Sequence, residues 1–213
     1  GSYEPLKQKN VDTGMGLERV LAVMNRVSSP FETELFKEVI EEIRLLAGYG
    51  DPDEKQIESE KIIADHLRSA TFILGDQYAV TPSNTDQGYI LRRLIRRAIR
   101  HGRRLGIEIE FARKIAGIVV KNYGDFYKEL VENQERIFEE ISKEEMQFNR
   151  TLNKGLNVIH KELDRRVGQK EKGASALGED FCFEMFATYG FPIEMTIEEL
   201  LADGWIKNAD DRA

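Results

Sequence analysis

The chain has 213 residues, 41% hydrophobic and 32% charged, with 31 Lys+Arg against 38 Asp+Glu for a net charge of −7. That suffices to bury a sizeable core in one or two domains, but no apolar run approaches the roughly 18 residues of a membrane span. A single cysteine, Cys182, excludes an internal disulfide and fits a reducing compartment; with no charged-then-apolar leader, the expected location is cytoplasmic, away from membranes.

Residues 6–13 (LKQKNVDT) lean extended and lead into the glycine turn Gly14-Met15-Gly16. Residues 17–27 then read as a helix. Ser29 and Pro30 suit a helix start, and residues 31–46 carry Leu35, Phe36, Val39, Ile40, Ile43 and Leu46 at core-facing helical spacing. A third helix is predicted over 54–74, then a turn-rich connection over 75–84. An arginine-rich helix, YILRRLIRRAIRHGRRLG, follows. A further helix is predicted over 111–123, and residues 125–167 read as one long helix or two in line. The polar, glycine-containing segment 168–178 reads as a flexible loop. Residues 179–189 form a short Phe-rich helix stopped by Gly190-Phe191-Pro192, and 197–203 a last helix capped by Thr196 with Glu199. His66, His101 and His160 are far apart, and with one cysteine they make no metal-ligand pattern, so each is expected to be structural.

The stretch from Tyr89 to Gly106 holds seven arginines and no acidic residue in an otherwise acidic chain. At about 100° per residue, Arg92, Arg93, Arg96, Arg97, Arg100, Arg103 and Arg104 share an arc of roughly 140°. Leu91, Leu94, Ile95, Ala98, Ile99 and Leu105 share the opposite arc, so the helix is amphipathic. Like charges at i,i+4 repel, so something must compensate. Three readings stand open: binding of a polyanion such as nucleic acid, ion pairs with carboxylates elsewhere in the chain, or a solvated face. The exclusive use of arginine fits forked recognition of phosphate or carboxylate better than plain solubility.

Two segments look like sites. In NVDTGMGLERV a glycine turn at a helix N-terminus offers backbone N–H groups to an anion, and Arg19 adds a full positive charge. TPSNTDQGY leads directly into the arginine helix. The plain reading there is an N-cap at Ser83 or Asn84, with Asp86 or Gln87 closing a capping box.

On these residues the chain resembles a known family. NVDTGMGLERV is similar to the third class-defining motif of class II aminoacyl-tRNA synthetases, in the form found in alanyl-tRNA synthetases. TPSNTDQGYILRRLIRRAIRHGRRLG resembles their tRNA-recognition segment. ADHLRSATFILGD and FATYGFPIEMT match in the same order. The fold this implies is mostly α: a helical bundle-like tRNA-recognition domain over 28–213, after a short N-terminal strand remnant of the catalytic domain within 1–27.

By position, the resemblance gives Asp12 and Gly14 to the alanine substrate, and Gly16 and Arg19 to ATP. Asn84 would read a G·U wobble pair in the tRNA acceptor stem. Glu194 stands where many family members have aspartate, the second reader. In the wobble the guanine exocyclic amine lacks a partner acceptor, so a side-chain oxygen of Asn84 or Glu194 would accept from it; Arg92, Arg93, Arg96, Arg97 and Arg100 would hold backbone phosphates. The implied parent enzyme is an alanine–tRNA ligase using ATP and Mg2+. The other two class-defining motifs precede this segment in the family. The chain is therefore expected to be a fragment that binds tRNA(Ala), holds no cofactor and catalyses neither step alone. The alternative is a stand-alone, non-enzymatic helical module binding RNA or DNA.

Overall fold

The structure, a computed structural model, describes residues 4–5, 7–10, 13–108, 110–168, 178–189, 191 and 193–202. Its helices in chain order are α1 (Leu17–Asn25), α2 (Glu34–Ala47), α3 (Glu54–Gly75), α4 (Asp86–Arg104), α5 (Ala112–Tyr123), α6 (Lys128–Glu132), α7 (Gln134–Gly168), α8 (Gly178–Tyr189) and α9 (Ile193–Ala202).

Local chemistry explains most boundaries. Ser29 Oγ accepts from Phe31 N at 3.3 Å and opens a single 3-10 turn, Pro30–Glu32. Thr33, whose hydroxyl donates to Pro30 O at 2.6 Å, separates that turn from α2, so the predicted helix over 31–46 is split. Gly48 ends α2 at φ 76, a left-handed conformation that glycine adopts without a Cβ penalty. A reciprocal capping box between Asp53 and Gln56 starts α3. Asn133 divides α6 from α7, so the predicted 125–167 stretch is two helices, and its amide donates to Gly75 O at 2.9 Å.

The core centres on α3 packed against α4. Ile63, Leu67, Ala70 and Leu74 join Leu91, Ile95, Ala98 and Ile99, and α5 and α7 close the cluster with Ile115, Val119, Ile137, Ile141 and Phe148. Glu145 of α7 lies inside and accepts from Phe111 N at 3.3 Å and Ala112 N at 3.2 Å, serving the start of α5. Burial pushes its carboxyl up to about 7, against the pull of those amides.

Gly102 lets α4 approach the segment before α5, because a Cβ there would lie 2.5 Å from Cε1 of buried Phe111. Gly102→Ala is therefore expected to cost about 1–3 kcal/mol, the usual penalty of overpacking, read as a lower urea midpoint. An unchanged midpoint would mean that the Phe111 ring moves aside freely.

The expected fold, a bundle-like tRNA-recognition domain behind an N-terminal strand, is corrected. The described residues form helices and no strand, residues 7–10 and 13–16 included. A strand needs a ladder partner, and none of the described segments supplies one. Of the expected loop at 168–178, residues 169–177 lie outside the described residues.

Candidate nucleic-acid interface

The arginine helix is α4, and most of its apolar face is inside: Leu91, Ile95, Ala98 and Ile99 are at most 1% exposed, while Leu94 is half-buried. Its arginines divide by depth. Arg96 is 5% exposed; its Nε donates to Glu144 Oε1 at 2.6 Å, and its guanidinium lies 5.1 Å from the Phe148 ring centre. Burial lowers the Arg96 pKa from its ordinary value, with Glu144 opposing the shift. Arg97 donates to Glu198 Oε1 at 2.9 Å and has Nη1 3.2 Å from His66 Nε2. Arg103 donates twice to Asn149 Oδ1, at 3.2 and 3.1 Å. Arg104 is exposed and reaches the Glu198 carbonyl at 3.5 Å. Arg93 and Arg100 are half-buried. Carboxylates of α7 and α9 thus neutralise part of the stripe from within the chain, one of the three compensations open in the sequence.

The helix entry differs from a capping box. Thr85 is the N-cap and makes no side-chain cap bond. Ser83 Oγ donates to Thr85 O at 2.8 Å, and Ser83 N donates to Gly88 O at 3.1 Å, folding the loop back over the first turn of α4. Gly88 permits this, since a Cβ would lie 2.6 Å from Thr81 O. Asn84 is therefore released from capping. Its Oδ1 instead accepts from Arg92 Nη1, while Arg92 Nη2 donates to Pro82 O at 3.4 Å and Arg92 Nε lies 3.4 Å from Glu144 Oε2. Asn84 is exposed and stands at a cavity of about 190 Å³ with Tyr89, Arg92, Arg93, Arg96 and Phe186.

Beyond α4, α9 carries Glu194; its side chain lies outside the described residues. The next residue, Met195, lines a second cavity with Arg93 and Leu94, so α9 passes beside α4. His101 is buried with Nδ1 3.0 Å from Ser59 Oγ, and burial and the surrounding arginines push its pKa down to about 3. It is a neutral structural histidine at physiological pH.

The glycine-turn segment reads differently. Asp12 lies outside the described residues. Gly14 is exposed, and a Cβ there would meet nothing within 4 Å. Gly16 is the N-cap of α1, and Arg19 projects from the first turn, exposed. Glu18 ties α1 to α3 through Arg68 at 2.9 Å. Met15, Leu17, Val23 and Met24 leave the apolar side of α1 uncovered. Among the described residues no group of three or more His, Cys, Asp or Glu side chains suits a metal ion, and no helix is long and apolar enough to cross a membrane.

Sequence reasoning missed Glu144, Pro82, Tyr89 and Phe186 as parts of this site. Glu144 had a readable signal. It falls with Glu145 between Ile141 and Phe148 on the apolar stripe of α7, where a carboxylate must find an internal partner.

An amphipathic arginine helix with a looped entry and an acidic inner lining characterises a chain that matches the description "tRNA synthetases class II (A)" over residues 1–207, and the chain belongs to that family. The matched range takes in α1 to α9. Its relatives include the alanine–tRNA ligase of Halalkalibacterium halodurans, 41% identical over 206 residues and 96% of this chain. Those of Ligilactobacillus salivarius and Pediococcus pentosaceus are 45% and 42% identical over 93% of it. The chain spans 22–23% of the length of these relatives.

Proposed function

We propose that the chain is part of a cytoplasmic alanine–tRNA ligase, and that its share of the work is to dock the acceptor stem of tRNA(Ala) along α4 and sense its G·U wobble pair at Asn84. The observation that carries the reading is the identity to alanine–tRNA ligases sustained along 93–96% of the chain. The parent reaction joins alanine to tRNA at the expense of ATP. Asp12 and Gly14 would hold alanine, and Gly16 and Arg19 would hold ATP, whose phosphates suit the exposed Arg19 guanidinium. The described residues offer no carboxylate cluster for Mg2+, so no step is assigned to that ion. Residues 1–27 would close the catalytic domain and 28–213 would serve the tRNA.

On the RNA side, Arg93, Arg97 and Arg100 would grip phosphates, which sets affinity and register without reading sequence. Arg96 would act from inside, by way of Glu144 and Arg92. Asn84 and Glu194 would meet the minor groove, the face an A-form stem exposes. The test is binding of the chain to an acceptor-stem duplex carrying G·U against the same duplex with G·C, across a salt series. The expected result is tighter binding to G·U, with affinity falling as salt rises by a log–log slope of about −0.7 to −0.9 per phosphate contact. Equal affinities would favour the alternative, a general helical RNA- or DNA-binding module, and no salt dependence would remove phosphate gripping.

A further inference from the structure

We infer that Arg92 is a positioning residue: its guanidinium, set beside the Glu144 carboxylate, fixes the Asn84 carboxamide with its N–H2 group turned outward, and wobble selectivity depends on that orientation. The inference rests on the proposed reading of Asn84. It reassigns Arg92, which the sequence placed among the phosphate-gripping arginines.

A guanidinium has five N–H donors and no acceptor. The group of Asn84 facing Arg92 must therefore be Oδ1, and the amide cannot flip without setting N–H against N–H. Nδ2, with two donors, becomes the outward half. A charge-assisted bond on Oδ1 also polarises the amide and strengthens its N–H2 as a donor. Asn84 then presents a donor to the minor groove, in place of the accepting oxygen expected from the sequence, and the acceptors there are guanine N3 and pyrimidine O2. In a wobble pair the guanine shifts toward the minor groove and the uracil away from it, so a donor held at one point distinguishes the pair by where these acceptors lie.

Arg92 is poorly placed to hold a phosphate. Its side chain is only 17% exposed, and the other fork nitrogen holds the Pro82 carbonyl. Its Nε faces Glu144 at 3.4 Å, and Glu144 is itself 3% exposed and held by Arg96. Glu144 thus bridges two arginines one turn apart on α4, and the outer one grips the 82–84 loop at two points. A lysine at 92 would keep the charge but not the fork.

The test compares wild type, Arg92→Lys, Arg92→Ala, Asn84→Ala and the Arg92→Lys, Asn84→Ala double variant for binding to the G·U and G·C duplexes at several salt concentrations, with folding checked by thermal melting. Arg92→Lys is expected to reduce the G·U/G·C affinity ratio as far as Asn84→Ala does, leaving the salt slope at the wild-type value. The double variant should lose no more of the ratio than either single change. A phosphate-gripping Arg92 gives the opposite pattern for Arg92→Ala: both duplexes weaken alike, the ratio stays, and the salt slope shrinks by nearly one contact. That pattern, or a wild-type ratio in Arg92→Lys, overturns the inference. A wild-type chain with no G·U preference would instead overturn the reading of Asn84 on which it stands.

Discussion

Arg96→Ala is expected to lower the unfolding free energy by about 3–5 kcal/mol, the cost of stranding a buried charge by removing its partner. Glu144 is 3% exposed and donated to at 2.6 Å by Arg96, so the truncation leaves a carboxylate in an apolar setting with only the more distant Nε of Arg92. It also removes a cation from the Phe148 face and opens space beside it. With native stabilities of about 5–15 kcal/mol, a loss of this size takes a large part of the total. Urea denaturation followed by circular dichroism measures it; a change below about 1 kcal/mol would class the pair with exposed salt bridges. Replacing both partners, as in Arg96→Met with Glu144→Met, should recover part of the loss, because apolar groups of similar volume need no pairing but Arg92, 17% exposed, then lacks the carboxylate beside its Nε. That double variant should fold yet discriminate poorly.

The second large effect is at Asn84. Asn84→Ala is expected to remove about 1–3 kcal/mol of preference for G·U over G·C, by analogy with base contacts in DNA, leaving the salt slope unaltered. Asn84 is exposed and caps no helix, so melting should barely move. Asn84→Asp sharpens the result. The carboxylate keeps Arg92 as partner but offers oxygen where the amide offered N–H2. Loss of preference in both variants supports a donor role, whereas retention in Asn84→Asp would mean that the stem is met by an acceptor. A fall in melting temperature with preference intact would return Asn84 to a purely structural part.

The periodic sequence located most helices because their apolar spacing reflects burial that the structure retains. Ile63, Leu67 and Ala70 of α3, and Leu91, Ile95 and Ile99 of α4, are core residues at the expected spacing, while Leu74 rather than Ile73 fills the last core position of α3. The split at Thr33 was not legible, since it turns on one hydroxyl bond to Pro30 O. The N-terminal strand failed for a different reason: an extended tendency becomes a strand only beside a partner. At the site, the predicted arginine arc lies on α4 and Asn84 in the loop just before it, but the sequence could not sort the arginines by depth. Arg92 and Arg96 share an arc with Arg93 and Arg100. What separates them is Glu144, 48 residues from Arg96 and brought in by the packing of α7 on α4.

The Arg92–Glu144–Arg96 cluster gives the loop at Asn84 an unusual dependence on warmth. Hydration of charged groups becomes less favourable as temperature rises, so withdrawing this carboxylate and these guanidinium groups from water costs less in a hot solution than in a cold one. Hydrophobic stabilisation of the surrounding core levels off over the same range. Relative to the helices that carry it, the bracket behind Asn84 therefore gains on heating and loses on cooling, and the proposed preference for G·U would fade in a cold chain before the fold did.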